Sequence, residues 1–317
     1  MDSRQRHAGM TEDGRRMENC VLCPVSKIEV MIPASVLPDR VNVLRCANCG
    51  LVYLDSRGSG SRTDAEEAVY WDKDEQKEIY LDDSVKELFA TEFKRHLEAL
   101  RCFLPNKGKL LDVGCGVGHF LDVAQKQGWK AEGLDISDAA SKIARETYGL
   151  DVHVGTLDGI QFQHANYDAM TLWDVIEHIK QPVENMAAAN RLLRKGGILV
   201  MKTPNERSFF KSVARGLYRV FGQRAVFLLK YVYYVPHYFS YSRKTMEMLL
   251  IRAGFEMVRY EEDTTPRDFA AGKINIHYKK DPKRNFVIMV LPVMSFLSKL
   301  FRRENKMIVY ARKVREV

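Results

Sequence analysis

Short apolar runs alternate with amphipathic stretches along most of this 317-residue chain. Several of the runs are followed directly by glycine or aspartate, which is typical of buried strands that end in a turn. The predicted strands cover residues 110–113, 130–134, 152–154, 167–173, 198–202, 255–260 and 307–313. Because helical spacing follows most of these strands, the pattern predicts an α/β fold with a mostly parallel sheet and helices on both faces.

Caps and apolar faces indicate where the helices lie. Ser84 and Glu87 have the spacing of a capping box, which predicts a helix from residue 84 to about residue 103 with one broad apolar face. Pro182 opens another helix, and Gly196 and Gly197 end it. Further helices are predicted near 120–127, over 138–148 and over 243–252.

The composition is that of a globular protein with an excess of positive charge. Hydrophobic residues make up 46% of the chain and charged residues 28%, and 49 basic against 41 acidic residues give a net charge of +8. The first 19 residues hold no apolar signal-peptide core, and no uncharged apolar run reaches about 18 residues. We therefore expect a cytoplasmic protein, with peripheral contact to an anionic membrane left open.

A glycine-rich turn after the first strand of the sheet carries the clearest chemical signal. Asp112 lies near the end of that strand, and the turn into the next helix contains Gly114, Cys115, Gly116 and Gly118. Bare backbone and a helix N-terminus suit a closely bound ligand. Asp135 ends the following strand, about 20 residues after the first glycine, where a carboxylate can accept both hydroxyls of a ribose. These residues predict a nucleoside cofactor.

Two cofactor classes fit a ribose site after a glycine turn. Nicotinamide dinucleotides favour G-x-G-x-x-G, whereas this turn is G-x-G-x-G and follows a carboxylate that would repel a pyrophosphate. S-adenosylmethionine has an ammonium group and no phosphate. From about residue 109 to 260 the sequence resembles the class I, Rossmann-like S-adenosylmethionine-dependent methyltransferases of type 11/23, whose first motif is similar to D-x-G-x-G-x-G. That resemblance implies a seven-stranded sheet.

The resemblance also implies which residues surround the cofactor. Ile136 and Leu157 are placed to sandwich the adenine, and Thr156 lies in the turn whose backbone meets it. Many relatives have an acid near Thr156; here Asp158 is the candidate substitute, although it equally fits an ordinary loop charge. The expected cofactor-binding residues are Asp112, Gly114, Cys115, Gly116, Gly118, Asp135, Ile136, Thr156, Leu157, Trp173 and Asp174.

Polar residues after the fourth strand indicate where the methyl acceptor binds. The segment TLWDVIEHI resembles the W-D-V-x-E-H motif of methyltransferases related to the ubiquinone-pathway O-methyltransferase, which implies that Trp173 and Asp174 approach the cofactor and that His178 faces the acceptor. A later segment resembles H-x-x-F-S and supplies His237 and Tyr241. The expected substrate-binding residues are Glu177, His178, His237 and Tyr241, with His178 and His237 as candidate catalytic bases. The alternatives are helix capping or a surface pair for Glu177 and His178, and a packed aromatic loop for the others.

Two C-x-x-C pairs precede the sheet. They consist of Cys20, Cys23, Cys46 and Cys49, and 22 residues separate the pairs. Four thiolates at this spacing can hold one structural Zn²⁺ and leave no open position for catalysis. Disulfides or idle thiols are the alternatives, and a cytoplasmic setting disfavours disulfides. The ribbon followed by CGLVYL resembles the N-terminus of sugar C-methyltransferases.

The expected domains are a disordered tail over 1–18, a zinc ribbon over 19–56, a linker and cofactor-covering segment over 57–83, and a methyltransferase domain over 84–317 with insertions at 205–242 and 262–305.

Within 207–246 there are eight basic residues and no acid, and Lys211, Arg215 and Arg219 form one helical stripe. This stripe suits an anionic membrane, an anionic substrate or the solvated edge of a lid. Residues 286–301 are apolar within a basic C-terminal region and suit either membrane contact or core packing.

The sequence thus predicts methyl transfer from S-adenosylmethionine to a small molecule, a glycan precursor or a lipid-linked intermediate. The first alternative is an RNA methyltransferase that binds through the ribbon and the basic surface. No N-P-P-Y-like or D-P-P-Y-like motif follows the fourth strand, which disfavours base methylation. The second alternative is a non-catalytic binding module, which the intact cofactor motif disfavours.

Overall fold

The structure is a computed structural model that describes residues 20–24, 27–37, 41–55, 80–160, 162, 165–233 and 237–317. The expected tail over 1–18 and most of the segment over 57–83 lie outside the described residues. Within the described ranges, two sheets organise the chain, one of seven strands and one of four.

The large sheet confirms the predicted fold class. Its strand order is β10-β11-β8-β7-β4-β5-β6, and helices lie between most of its strands along the chain. The strands from β4 to β8 pair in parallel, whereas β11 is antiparallel to both β8 and β10. Its strands are β4 (Lys109–Val113), β5 (Lys130–Asp135), β6 (Val152–Val154), β7 (Tyr167–Trp173), β8 (Leu193–Pro204), β10 (Phe255–Asp263) and β11 (Lys306–Lys313).

Burial explains why these runs form the sheet. In β7, the six residues before Trp173 are buried, as expected for a parallel strand covered on both faces. Strand β8 begins five residues earlier than predicted, because its backbone continues through the two glycines that were expected only to end a helix.

The helices around the sheet follow the predictions closely. They are α1 (Asp83–Arg101), α2 (His119–Lys126), α3 (Asp138–Tyr148), α4 (Pro182–Leu192) and α7 (Arg243–Arg252). The predicted capping box at Ser84 is wrong. The N-cap of α1 is Asp82, whose carboxylate accepts hydrogen bonds from the backbone N–H groups of Ser84 and Val85.

The small sheet contains the predicted ribbon hairpin and one strand from far along the chain. Its order is β1-β2-β3-β9, where β9 pairs antiparallel with β3. These strands are β1 (Ile28–Ile32), β2 (Asn42–Cys46), β3 (Val52–Asp55) and β9 (Phe239–Ser240). The ribbon cysteines also share one buried apolar cluster with residues of the large sheet. The ribbon is therefore packed against the domain that follows it.

Two pairs of helices occupy the predicted insertions. They are α5 (Phe209–Phe221) and α6 (Val226–Val232) in the first, and α8 (Arg267–His277) and α9 (Arg284–Leu300) in the second. None of the described helices combines the length and apolarity that crossing a membrane requires.

The basic stripe predicted along α5 does not face solvent as a whole. Lys211 is buried and donates a hydrogen bond to the Glu206 carboxylate at 3.0 Å, and Arg215 contacts the same carboxylate. Only Arg219 of the three is exposed. The prediction of a solvated edge is therefore wrong for Lys211 and Arg215. Both contact Glu206, which lies one residue before the acid-free segment 207–246.

Candidate functional site

The glycine turn joins β4 to α2 at the carboxyl end of the large sheet. The backbone N–H of Gly114 donates to the carbonyl of Leu134 at 2.7 Å, and that of Gly116 donates to Asp135 Oδ2 at 2.7 Å. These bonds tie the turn to the end of the neighbouring strand β5. Ligands bind at this edge in open α/β sheets.

Close packing requires glycine at two positions of the turn. A Cβ on Gly118 would lie 2.4 Å from Leu150 Cδ1, and one on Gly114 would lie 2.4 Å from Val175 Cγ2. Both residues have a positive φ, of +89° and +70°. Glycine at these two positions therefore has a physical reason, because any other residue would be crowded and would have an unfavourable backbone conformation.

Asp135 holds the turn and keeps capacity for a ligand. Its second oxygen, Oδ1, accepts a hydrogen bond from the backbone N–H of Ser137 at 2.8 Å. Each carboxylate oxygen therefore has one backbone donor and a remaining lone pair, as a ribose diol requires. Burial raises the pKa of Asp135 above its ordinary value.

Asp112 is 1% exposed and accepts a hydrogen bond from the Thr171 hydroxyl at 2.6 Å. Burial raises the pKa of Asp112 to about 8, and the nearby Asp135 acts in the same direction. A buried carboxyl with so high a pKa is stabilised as an anion by a cationic partner. The expected partner of Asp112, an ammonium group, has that character.

The residues expected at the adenine follow adjacent strands at the same edge. Asp135 of β5 pairs with Val154 of β6, so Ile136 and Thr156 lie just beyond paired residues. Both are half-buried, while Leu157 and Cys115 are buried. The geometry places the predicted set at one edge of the sheet.

Trp173 is the last residue of β7 and Asp174 follows it. Along the chain, both precede the residues that are predicted to bind the acceptor. The Trp173 ring packs between Phe93 and Phe120 with centroid distances of 5.4 and 5.1 Å, and its buried indole N–H has no acceptor among the described residues. Asp174 has a φ of +58° and its carboxylate contacts the Lys306 ammonium. A non-glycine residue in this conformation is a feature that often accompanies functional sites.

Glu177 lies in a cluster with two of the other residues that the sequence predicts to bind the acceptor. It is 1% exposed, its Oε2 accepts a hydrogen bond from the Thr203 hydroxyl at 2.8 Å, and its Oε1 has no partner in the described parts of the chain. Burial, and then the charge of Asp174, raise the pKa of Glu177. An orphaned buried carboxylate oxygen is costly unless a ligand uses it.

The two candidate histidines meet beside Glu177. Their rings are perpendicular with centroids 4.8 Å apart, and one donor atom from each of Glu177, His178 and His237 lies within 4.8 Å of the others. Burial, and then the neighbouring His178, lower the pKa of His237 well below its ordinary value, so its imidazole is neutral at pH 7. Residues 59 positions apart in the chain thus form one polar cluster.

The ribbon positions His237. The backbone N–H of Tyr238 donates to the carbonyl of Glu177 at 2.8 Å, and its carbonyl accepts from the N–H of Leu54 in β3 at 3.1 Å. A small cavity beside His237 is lined by residues of β3, α5, α6 and β9, among them Val52 and Lys211, and by Tyr233, which directly follows α6.

Tyr241, the remaining predicted substrate residue, is fully buried, and its hydroxyl has no partner among the described residues. Its carbonyl accepts a hydrogen bond from the N–H of Glu206 at 2.8 Å. The structure therefore shows Tyr241 as a core residue whose hydroxyl is left for a partner outside the described residues. A direct contact between Tyr241 and an acceptor stays a prediction.

The four ribbon cysteines converge as predicted. Their sulfur atoms all lie within 4.8 Å of one another, and Sγ of Cys20 is 3.6 Å from Sγ of Cys49. Zn–S bonds of about 2.3 Å set tetrahedral sulfurs about 3.8 Å apart. None of the six cysteines forms a disulfide. The donor set therefore fits a structural Zn²⁺.

The turns around the sulfurs fit a metal as well. The N–H of Leu22 donates to Sγ of Cys20, and that of Leu51 donates to Sγ of Cys49, each at 3.4 Å. Burial, and then Cys49, raise the pKa of Cys23 to about 11, so four adjacent thiolates need a cation among them.

Several functional residues escaped sequence reasoning. Thr171 and Thr203 orient the buried carboxylates of Asp112 and Glu177, and Lys306 neutralises Asp174. Thr171 lies on a predicted strand and Thr203 directly follows another, so the strand pattern could have identified both as candidates. Lys306 could not be found in this way, because 132 residues separate it from Asp174.

Comparisons with known proteins agree with this geometry. A family model described as "Methyltransferase domain" matches residues 80–260, more than half of the chain. A ubiquinone biosynthesis O-methyltransferase of Cereibacter sphaeroides is 32% identical over 129 residues, which are 39% of this chain and 51% of the relative. One of Saccharophagus degradans is 30% identical over 103 residues, which are 31% of this chain and 44% of the relative. The chain spans about half the length of the curated relatives it matches.

Partial alignments to solved structures are also found. A S-adenosylmethionine-dependent methyltransferase from Archaeoglobus fulgidus aligns with a TM-score of 0.47 at 16% identity and covers 72% of this chain and 94% of its own. The family match covers the region that contains the glycine turn, Asp135 and Glu177. The family assignment rests on this match, and the geometry of these residues agrees with it. The chain belongs to the methyltransferase-domain family.

Proposed function

We propose that this protein is an S-adenosylmethionine-dependent methyltransferase that acts on a small-molecule acceptor. One observation carries the proposal. Val175 packs against the glycine turn at Gly114, and two residues later Glu177 turns its carboxylate toward His178 and His237. The glycine turn and the polar cluster are therefore close together at the carboxyl end of one sheet, which supports a cofactor next to an acceptor.

The turns after β4, β5 and β6, with Asp112 and Asp135, form the cofactor half of the site. In this assignment Asp135 accepts the ribose hydroxyls, Asp112 balances the ammonium group, and Ile136 and Leu157 flank the adenine. Bound S-adenosylmethionine supplies a methyl group that its sulfonium already activates. The protein then has to position an acceptor in line with that methyl group and exclude water.

Glu177, His178, Thr203, His237 and Tyr241 form the acceptor half. Glu177 combines a raised pKa with an orphaned oxygen, which suits it to accept a hydrogen bond or a proton from the acceptor. His237 is neutral and can accept a proton through its ring. The relatives named O-methyltransferases support an oxygen as the acceptor atom.

The acceptor class we propose is a glycan precursor or a lipid-linked intermediate. The two insertions, which are rich in basic and aromatic residues, support this class. The cavity beside His237 has a volume of about 10 Å³, which is room for about one water molecule, so it is not the acceptor pocket. Lys211 and Arg215 are engaged by Glu206 and are not available to a phosphate backbone, which argues against RNA. The proposed metal is one structural Zn²⁺ on the four ribbon cysteines.

The test uses methyl-labelled S-adenosylmethionine and an extract of the source cells. Glu177→Gln should lower labelling by at least about tenfold, since it removes a proton acceptor while it keeps the hydrogen bond from Thr203. Affinity for S-adenosylhomocysteine should stay unchanged by calorimetry. The control is Glu184→Gln, at an exposed carboxylate of α4. Equal labelling by both variants would remove Glu177 from the acceptor half.

After the reaction, the product is partitioned between an organic and an aqueous phase, with and without ribonuclease. The phase that contains the label identifies the acceptor class. Label in the organic phase indicates a lipid-linked acceptor, and ribonuclease-resistant label in the aqueous phase indicates a glycan or another metabolite. Label that ribonuclease releases would replace the proposal with RNA methylation.

A further inference from the structure

Helix α9 presents a stripe of apolar side chains to solvent. Phe286, Met289, Val293, Phe296 and Leu300 are each at least half exposed, with Met289 and Phe296 at 66%. Their spacing of three and four residues places them within an arc of about 80° along about 21 Å of helix. The opposite side of α9 faces the protein, since Val287 and Leu291 are buried.

The end of α5 enlarges this stripe. At the start of α5, the ring of Phe209 stacks on that of Phe301, just after α9, with centroids 5.3 Å apart. Near the start of α6, which follows α5, the ring of Phe227 lies 6.4 Å from that of Phe286 near the start of α9, so the end of α5 lies toward the start of α9. Val220 and Phe221 at the end of α5 are 73% and 54% exposed. We call these two residues and the five of α9 the apolar ridge. It holds most of the large exposed apolar side chains found in the described ranges.

Positive charge flanks the ridge along the chain. The segment 282–303 contains no Asp or Glu, and neither does 207–246. Asp281, the acid just before α9, is engaged by the Lys230 ammonium and by the Tyr231 hydroxyl at 2.6 Å. Exposed cations near the ridge in sequence are Arg219, Arg224, Lys279, Lys280, Lys283, Lys299 and Arg302.

These charges decide which partner fits the ridge. A second copy of the chain would bring two sets of cations together without an intervening acid, in either relative direction of the helices. Nucleic acid would meet the cations but would leave aliphatic Met289, Val293 and Leu300 against phosphates and sugars. An anionic bilayer surface satisfies both features, because apolar side chains enter the headgroup boundary while Lys and Arg meet acidic lipid.

We propose that the apolar ridge docks this protein on the surface of an anionic bilayer, with α9 lying in the plane of the interface. The exposed Pro292 within α9 and the basic residues at both its ends fit this orientation. The inference goes beyond the proposed methyl transfer and does not depend on it, because docking requires no cofactor and no acceptor.

The test is cosedimentation of the full chain with vesicles. Wild type should bind phosphatidylcholine vesicles that contain phosphatidylglycerol, bind pure phosphatidylcholine poorly, and lose affinity as salt rises. Met289→Glu with Phe296→Glu should lower the partition coefficient by at least about tenfold. The matched control is Ile251→Glu, at an apolar side chain on α7 that is 55% exposed, and it should bind like wild type.

Three outcomes would overturn the inference. They are absence of binding to anionic vesicles at low salt, equal loss in the ridge and control variants, and a wild-type dimer that the ridge variant dissociates. Affinity for S-adenosylhomocysteine, measured on every variant, checks that the fold is intact. If wild type lacks that affinity, the proposed function fails while the vesicle result still decides the docking surface.

Discussion

The proposed cofactor half and the proposed acceptor half of the site are built in different ways. The cofactor half comes from turns after three neighbouring parallel strands, within residues 112–158, and backbone hydrogen bonds such as Gly116 to Asp135 hold it. The acceptor half joins Glu177 after β7, Thr203 at the end of β8 and His237 from a segment that the ribbon binds. The first is a local structure, whereas the second exists only when distant parts of the chain have assembled.

This difference teaches where each half is vulnerable. Strand β9 has two residues and pairs only with β3 of the ribbon in the small sheet, so little else in that sheet holds His237 in place. We therefore expect damage to the ribbon to disturb the acceptor half selectively. Damage at the glycine turn should disturb the cofactor half first.

The largest effect should follow from Cys46→Ser. Loss of one thiolate should release about one equivalent of zinc and lower the free energy of unfolding by at least about 4 kcal/mol, because metal binding and ribbon folding are coupled. Hydrogen exchange of residues 237–241 should accelerate, and affinity for S-adenosylhomocysteine should change little. Cys102→Ser is the control, since Cys102 is exposed and outside the cluster. Metal-free wild type by elemental analysis would contradict the zinc assignment.

Gly118→Ala should strain the cofactor half. The added Cβ meets Leu150 at 2.4 Å, and the residue has a φ of +89°, so we expect a loss of about 3 kcal/mol in unfolding free energy. Gly149→Ala is a matched control because its φ is +65° and no atom of the described residues lies within 4 Å of its Cβ position. It should lose about 1 kcal/mol, from backbone strain alone. Equal losses in urea unfolding would mean that close packing at Gly118 is unimportant.

Asp135→Ala should weaken S-adenosylmethionine binding more than tenfold, or by at least about 1.4 kcal/mol. The variant removes the acceptor of the ribose hydroxyls and of the Gly116 N–H. Calorimetry measures the affinity, and Asp138→Ala is the control because its carboxylate is exposed. Unchanged binding would refute the ribose assignment, and hydrogen exchange at 237–241 should be the same in both variants.

Asp112 should give an effect of a different kind, a dependence of stability on pH. With its pKa raised to about 8, the folded chain keeps a proton that the unfolded chain loses near pH 4. Stability of the cofactor-free protein should therefore fall as pH rises from 5 to 8, by up to about 1.4 kcal/mol per pH unit. Asp112→Asn should flatten this slope in urea unfolding. An identical slope in both proteins would show that Asp112 is ionised in the fold.

Prediction from sequence succeeded best where a motif and its structure are local. The strand that contains Asp112, the turn from Gly114 to Gly118 and the helix after it all lie where the pattern predicted them. It failed at Ser84, because the preceding Asp82 competes for the same cap, and at Lys211, whose inward direction depends on Glu206. Both failures concern a choice between neighbouring partners that periodicity does not resolve.

The sequence by itself determined the α/β class, the glycine turn with its ribose carboxylate, and the four cysteines of the ribbon. Each depends on residues close in the chain or on a fixed spacing, and short-range geometry is sufficient to read it. Only the tertiary structure decided that β9 joins the ribbon, that His237 meets Glu177 and His178, and that α9 leaves its apolar ridge exposed. These features depend on which surfaces cover one another, and burial of one segment by a distant one is not encoded in the period of either.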